Sequence, residues 1–476
     1  MALIILAYPL LTPMSKLLLF TAATIIAISV DSLAATLAVL PGTSIQAKID
    51  QAQPGDIVAI FGGTYDEDIN INKAIRLVEV SGQQVNITGN ITFSGIANAP
   101  IFEGFQVGSS GRGITVSNTT GLILRNIVAA DFVNVGGASS IEILSSQIGG
   151  GSATIGTSTT RIKDCQISGA INMSGSFGEI IDSTCWRIGQ YAGTLNVFKC
   201  SVSDYIDTGT GAQKTVVFRT TLIADASMRS KKVWFGYCDV RSFNYHDQTD
   251  GKVVVVGCKI DRQGGEANGI YLAGSSNSFT VANNSVVRVG YNFAGDSENG
   301  IDGRGSNNSY LIVNNYFQLQ FYGDDSGPRG DGIYIRDSVN ARILNNVVVG
   351  AKHGVSAPFG VLAQNNLYWA SPWDAREANG VIAQGTIYAD PKFIADQAPS
   401  LAADSPCHNA GVEDPIYNNR DGSRNTIGPS GGTLYDPDAR TTENPVVISF
   451  DLGPEQVLEG EATDIILSNG QAVSQP

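Results

Sequence analysis

The sequence contains no Cys-x-x-Cys pair and no cluster of cysteine with histidine, so a zinc-type or iron–sulfur site has no ligand set to draw on. Histidine is scarce, with three residues in 476, and charged residues make up only 16% of the chain. Positive charge is in deficit: 30 Lys and Arg stand against 44 Asp and Glu, a net charge of -14. Such a surface repels phosphate backbones, which argues against nucleic acid as a partner. After residue 33 no apolar run is long enough to cross a bilayer. What is present instead is glycine, 54 residues of it, with 43% apolar residues in short β-branched stretches. That composition suits a large core carried by many tight turns and excludes a helical protein.

The one long apolar run is N-terminal. From Met14 it reads MSKLLLFTAATIIAISVDSLAAT, with Lys16 as basic flank, Leu17 to Val30 as apolar run and Ser32-Leu33-Ala34 as small residues at a cleavage point. Residues 1–34 are expected to be an export signal whose true start is Met14, which would make the mature protein secreted, periplasmic or cell-surface, and free of the membrane.

The rest of the chain repeats. Aligning the second Asn of ANNSV, VNNYF, LNNVV and QNNLY gives a column of Asn284, Asn315, Asn346 and Asn366. Moving towards the N-terminus, Cys258, Cys238, Thr220, Cys200, Cys165, Ser146 and Asn126 fall in the same column at steps of about 20 residues. Cys185 follows Cys165 by one step but precedes Cys200 by only 15 residues, so the register slips there or that turn is short. Units of this length, punctuated by Gly, Asn and Ser, predict a coil of short strands, each pairing with the strands above and below. An inward Asn at each bend would bond to its counterpart on the next coil, about 4.8 Å away, because a buried amide without partners is costly. Cys and Thr fit the same slot. Of the six cysteines, five lie at or near this column, pointing the same way, which is poor geometry for bridging; buried free thiols are expected.

A coil of this kind needs covered ends. Residues 44–55 predict a capping helix, with Ser44 as N-cap, Ile45 and Ile49 on one face, and a stop at Pro54-Gly55. The stretch IQAKIDQAQPGDIVAIFGGTYDEDININKAIRL resembles the opening of right-handed parallel β-helix proteins of the pectin-lyase-like superfamily. DPKF, SPCHNAG and RDGSRNTIGPSGG are similar to the close of such domains. The expected architecture is therefore all-β: a right-handed parallel β-helix over residues 35–432 with an N-terminal capping helix. The tail, residues 433–476, reads as two strands forming a short β appendage or as a flexible tail. The superfamily holds lyases, hydrolases, epimerases and non-catalytic surface proteins, so the fold alone names no activity.

The column steps lengthen in one region: 26 residues from Cys258 to Asn284, then 31 and 31 to Asn346. The extra residues form loops on consecutive turns, a common mark of a binding groove. Beside them runs a second column: Asn268-Gly269-Ile270, Asn299-Gly300-Ile301, Asp331-Gly332-Ile333 and His353-Gly354-Val355. Strand alternation turns Tyr271, Asp302, Arg304, Tyr334, Arg336 and Ser356 outward. Stacking brings Arg304 near Arg336 with an anion between them, which could be Asp302, Asp337 or a substrate carboxylate. This predicts a trough for an acidic sugar chain. Tyr271, Asn268, Asn299, Asp302 and Asp331 would bind substrate. Arg304, Arg336, His353, Lys352, Tyr334 and His246 are the candidates for a β-elimination, which needs a carboxylate neutraliser and a base for the C5 proton. Asp296, Glu298, Asp324 and Asp325 could hold Ca²⁺ through oxygen ligands.

Two narrower resemblances bear on the same turns. NYHDQTDG followed by NGIDG and KHGVS is similar to mannuronan C-5-epimerases, placing His246 and Asp247 at the acid/base positions, although the leading Asp-Pro of that family is Asn244-Tyr245 here. The order NGID, GDD, HGVS looks like polygalacturonase motifs, with Asp302, Asp324, Asp325 and His353 at the matching points but the later Arg-x-Lys missing. The leading expectation is a monomeric polysaccharide lyase acting on a uronate-containing polysaccharide; the alternatives are a non-catalytic glycan-binding β-helix, a glycoside hydrolase or a uronate epimerase.

Overall fold

The computed structural model describes residues 34–137, 139–149, 153–156, 159–263, 268–289, 298–319, 330–370, 380–395, 398–442, 446–452 and 467–473. The expected export segment, residues 1–33, lies outside them. No helix among the described residues is long and apolar enough to cross a membrane.

The chain winds into a parallel β-solenoid with three strands per full turn, one on each of three faces. Among the described residues, face 1 is a single parallel sheet of 17 strands, from Thr36–Val39 to Ile382–Gln384. Faces 2 and 3 alternate after it. In one representative turn, Ser309–Val313 lies on face 1, Tyr316–Leu319 on face 2 and Ile333–Ile335 on face 3. Each strand pairs in parallel with its equivalents one turn away, as Ser309–Val313 does with Ser278–Ala282 and Asn340–Leu344. The strands are short because each is one side of a coil. Their β-branched residues alternate between the core and solvent, and one continuous apolar core runs from Val39 to Tyr368.

The helix Ile45–Gln51 closes the first turn. Ser44 caps it by accepting the Ala47 N–H, and Ile45 and Ile49 are fully buried, as the sequence predicts. At the other end of the chain Val446–Leu452 and Leu467–Val473 pair antiparallel, which gives the expected two-stranded appendage with its second strand several residues later than EATDIILSNG suggests.

The Asn column is a ladder inside the rod. Asn284, Asn315, Asn346 and Asn366 are all fully buried. The Oδ1 of each of the last three accepts both the backbone N–H and the Nδ2–H of the Asn one turn before, at 2.9–3.0 Å. The Nδ2 groups also donate to carbonyls of preceding strands, such as Val281 and Ile312. Towards the N-terminus the slot is filled by smaller groups: Cys258, Cys238, Cys200 and Cys165 each point Sγ at two backbone carbonyls. All six cysteines are buried free thiols.

Two expected positions move. Ser183, not Cys185, occupies the column between Cys165 and Cys200: its Oγ accepts the Cys165 N–H at 3.1 Å and donates to the Ile181 carbonyl. The slot assigned to Asn126 belongs to Ile127, whose N–H reaches Ser146 Oγ. Asn126 instead has φ +51° and so belongs with the first Asn of each pair: Asn283, Asn314, Asn345 and Asn365 have φ of +50° to +56°. The doubled Asn thus serves two needs at one bend. The first residue takes the left-handed conformation that Asn tolerates, and the second turns inward to satisfy the backbone.

The left-handed column has a further use. Residues 405–442 fold back along it, running against the direction of winding. Asn345 Oδ1 accepts the Val412 N–H; Asn314 and Asn425 exchange amide hydrogen bonds; Asn283 Nδ2 donates to the Pro429 and Gly431 carbonyls. Farther along, Tyr237 donates to the Leu434 carbonyl, Arg219 to that of Ala439, and Arg440 pairs with Asp239. Tyr237 and Arg219 also hold left-handed backbone, a conformation that costs a bulky residue about 1 kcal/mol or more and is offset here by contacts to this strap. The strap lies along the edge between faces 1 and 2, opposite face 3.

Candidate functional site

Face 3 brings the sequence-selected residues together on consecutive rungs. Phe243, Ile270, Ile301, Ile333 and Val355 stack inward in register. One residue on, the outward row reads Asn244, Tyr271, Asp302, Tyr334, Ser356. Two residues before the inward stack, at the corner with face 2, lie Arg241, Asn268, Asn299, Asp331 and His353. The glycines between, Gly269, Gly300, Gly332 and Gly354, are needed for space and not for the bend, since none has a positive φ. A Cβ on Gly300 would stand 2.5 Å from the Gly332 carbonyl oxygen and 2.7 Å from the Phe317 ring.

The corner column is tied to the outward row by diagonal bonds. Asn268 Nδ2 donates to Asp302 Oδ2 at 3.2 Å, and the Ser356 hydroxyl donates to Asp331. Along the column, Asn268 Oδ1 accepts the Asn299 N–H at 2.7 Å and Asn299 Oδ1 accepts the Asp331 N–H at 2.8 Å. Asn299 is thus nearly buried, with its Oδ1 committed to the backbone of the next rung. Asp302 is in the outward row as expected but is only 1% exposed, because Arg304 covers it with a two-pronged ion pair, Nε to Oδ1 at 3.0 Å and Nη2 to Oδ2 at 2.8 Å. Asn299 Oδ1 and the Asp302 carboxylate are thus both bonded within the protein itself.

Arg304 and Arg336 occupy the same position on successive rungs, donating their backbone N–H groups to Leu272 and Gly303. They are not equivalent. The bond to Asp302 holds the Arg304 guanidinium above its usual range, and its face lies 5.4 Å from the centre of the Tyr271 ring. Arg336 is exposed and has no carboxylate within 4.0 Å among the described residues. The anion paired with Arg304 is thus Asp302. Asp337 instead accepts the Gly305 N–H.

Two histidines border this row. His246 lies where the strand Ser242–Thr249 bulges against its neighbour, its ring 5.2 Å from that of Tyr271. His353 Nδ1 lies 2.7 Å from Asp331 Oδ1. Burial raises the Asp331 carboxyl, and the bonds from His353 and Ser356 and the charge of Lys352 only partly oppose it. Lys352 itself is exposed. The Asp331–His353 pair was visible in the sequence as two members of one column, but their contact was not.

A second short ladder escaped the sequence reading. Asn277 and Asn308 are buried at the bend after face 3: Asn308 Oδ1 accepts the Asn277 N–H at 2.9 Å, and its Nδ2 donates to the Arg304 and Gly305 carbonyls. It fixes the backbone on which Arg304 sits. One of its residues lies in SNNSY, where the doubled Asn is the available signal.

Of the four proposed calcium ligands, Asp296, Asp324 and Asp325 lie outside the described residues. Glu298 is buried. Among the described residues no group of three or more His, Cys, Asp and Glu is placed to hold a metal ion.

No family model matches the sequence, and no curated protein matches it. Among solved structures, the chain is similar to the pectate lyase Pel9A at 14% identity, over 84% of this chain and 96% of that one, with a TM-score of 0.25. It is also similar to AlyGC, an alginate lyase of family PL6, at 13% identity over 73% of this chain, with a TM-score of 0.29; the chain spans 51% of that protein.

Proposed function

We propose that this protein is exported and that face 3 binds an extended uronate-containing polysaccharide and cleaves it by β-elimination. The observation that carries the reading is Arg336: an exposed arginine without a carboxylate partner among the described residues, in a strongly acidic protein, next to a tyrosine row and a histidine held by a carboxylate. A lone cation so placed suits a substrate carboxylate, and neutralising that carboxylate is what makes the C5 proton removable.

The reaction begins at His353. With Nδ1–H donated to Asp331, the ring presents the lone pair of Nε2 as general base. It takes the C5 proton; the electron pair passes through the enolate, stabilised by Arg336, into a C4–C5 double bond. The C4–O4 bond breaks, and Tyr334 donates its phenolic proton to the departing oxygen. Tyr271, backed by Arg304 and His246, is the platform for a sugar face. Ca²⁺ remains a proposed addition at the loop carboxylates Asp296, Glu298, Asp324 and Asp325, and no step above depends on it. Asp302, the carboxylate a hydrolase would share, is sealed under Arg304, and Asn244 puts an amide where the epimerase-like motif has a carboxylate; both observations favour the lyase.

The test is to mix the full chain with alginate, pectate and glycosaminoglycans, with calcium and with chelator, and read the ultraviolet absorbance of the unsaturated product. Absorbance that disappears in Arg336→Ala and His353→Ala supports the reading. Reducing ends without absorbance would replace it with hydrolysis. Binding without either signal would make the protein a glycan-binding surface module, and no binding to any polyuronate would end the proposal.

A further inference from the structure

A second cationic–aromatic cluster lies on the same face, nearer the N-terminus. Arg187 sits at the corner between faces 2 and 3 where later turns insert their long loops. Its guanidinium is 4.9 Å from the centre of the Trp186 ring and 5.7 Å from that of Tyr205, and Nη1 donates to the Tyr205 hydroxyl at 2.7 Å. No carboxylate lies within 4.0 Å of it among the described residues. Trp186 is 46% exposed and Tyr191 51% exposed, large apolar areas for a surface. The floor between them is Gly189, and the Tyr191 hydroxyl comes within 3.1 Å of where a Cβ there would stand. Gly189 belongs to the outward row that continues through Asp207, Ser227 and Asn244 to Tyr271. Ring faces exposed beside a cation held without a counter-ion make a surface for a sugar bearing a negative charge.

The spacing connects this cluster to the proposed centre. Ile188, Ile206, Ala226, Phe243 and Ile270 stack in register, so the Arg187 cluster lies four rungs, about 19 Å, from Tyr271. On the intermediate rung of Phe243, exposed Arg241 also lacks a carboxylate partner among the described residues. Stacked β-rungs make a ruler along the rod axis, and an extended pyranose chain advances by roughly one rung per sugar.

We propose that Arg187, Trp186, Tyr205 and Tyr191 form a distal subsite that grips an acidic sugar several residues from the bond being cleaved, so that long chains bind more tightly than short ones. This rests on the reading of face 3 as a polyuronate trough, and adds a place where the chain is held and a length dependence.

The experiment titrates the full-length protein with a trimer and a decamer of whichever uronate the wild type takes, alginate-derived or pectate-derived. Thermal unfolding confirms that the variants are folded; Trp186→Ala removes an exposed ring and is the safer of the two. The expected result is decamer affinity well above trimer affinity in the wild type, with Arg187→Ala and Trp186→Ala each weakening the decamer roughly tenfold and leaving the trimer unchanged. If both variants bind the decamer as the wild type does while Arg336→Ala weakens both oligomers, the distal subsite is refuted and the trough stands. If the wild type binds neither oligomer, the trough is refuted and the subsite with it.

Discussion

Replacing Asn315 by Ala tests the internal ladder directly. The side chain is fully buried and makes five hydrogen bonds: Nδ2 to the carbonyls of Val281 and Val313 and to Asn346 Oδ1, and Oδ1 from the backbone N–H and the Nδ2–H of Asn284. Not all of these are orphaned by truncation. Asn284 Nδ2 keeps its bond to the Val255 carbonyl, Asn346 Oδ1 keeps the Asn315 N–H, and the Val313 carbonyl keeps the Asn283 N–H. The group left with nothing is the Asn284 backbone N–H, which costs about 1–3 kcal/mol when buried, and the vacated volume adds about 1–2 kcal/mol. The expected loss is thus about 3 kcal/mol. Cys at position 315 should cost less, about 2 kcal/mol, because a thiol reaches the carbonyls as Cys258 does but cannot satisfy that N–H. Asn340→Ala, an exposed position, should stay within about 0.5 kcal/mol of wild type. Urea unfolding followed by circular dichroism orders the three. An Asn315→Ala loss no greater than that of Asn340→Ala would mean that the ladder does not hold the coil together.

Arg304→Ala should destabilise the protein as well as weaken glycan binding, because it strips the partner from buried Asp302; the loss is about 2 kcal/mol, reduced by the partial exposure of Arg304 and by the remaining Asn268 bond. Arg336→Ala should leave the unfolding midpoint unchanged, so a thermal shift separates the two arginines. Asp331 has its folded carboxyl raised above 3.8, so the folded state binds its proton more tightly than the unfolded chain. Its contribution is therefore fully present below that value and is lost as pH rises through the folded value; urea midpoints measured across this window should fall more with rising pH in the wild type than in Asp331→Asn. Burial pushes Cys165 and Cys407 up to about 11 and Cys185 and Cys200 up to about 12. The native protein should therefore be silent to a thiol reagent at pH 8 and react at all six positions once denatured, whereas fewer than six reactive thiols in denaturant without reductant would point to a disulfide.

The ladder was legible because a polar residue recurring at a fixed step inside apolar strands must find a partner there, and its own counterpart on the next coil is the nearest one. The pattern misled where the slot holds Ile127, which breaks the polar series, and at Ser183, where the nearby Cys185 looked more like the other occupants. The outward row on face 3 was legible through its period of two: alternation places Tyr271, Tyr334 and Arg336 on the surface whatever their partners. Alternation gives direction but not cover, so nothing in the sequence showed that Arg304 closes over Asp302. The strap was invisible because its bonds join residues 45 to 220 positions apart, as Ala410 with Asn365 and Ala439 with Arg219, and no local pattern encodes such a distance.

That strap alters how the rod should come apart. A stack whose units touch only their neighbours can fray one unit at a time from either tip. Here a single segment laces together turns from Arg219 to Asn365, so loosening any one of them pulls on fastenings shared with the rest. The laced half should melt as a block, while the turns between Ala35 and Lys163, which precede the apolar cluster shared with Val412 and Ala439, unravel by degrees.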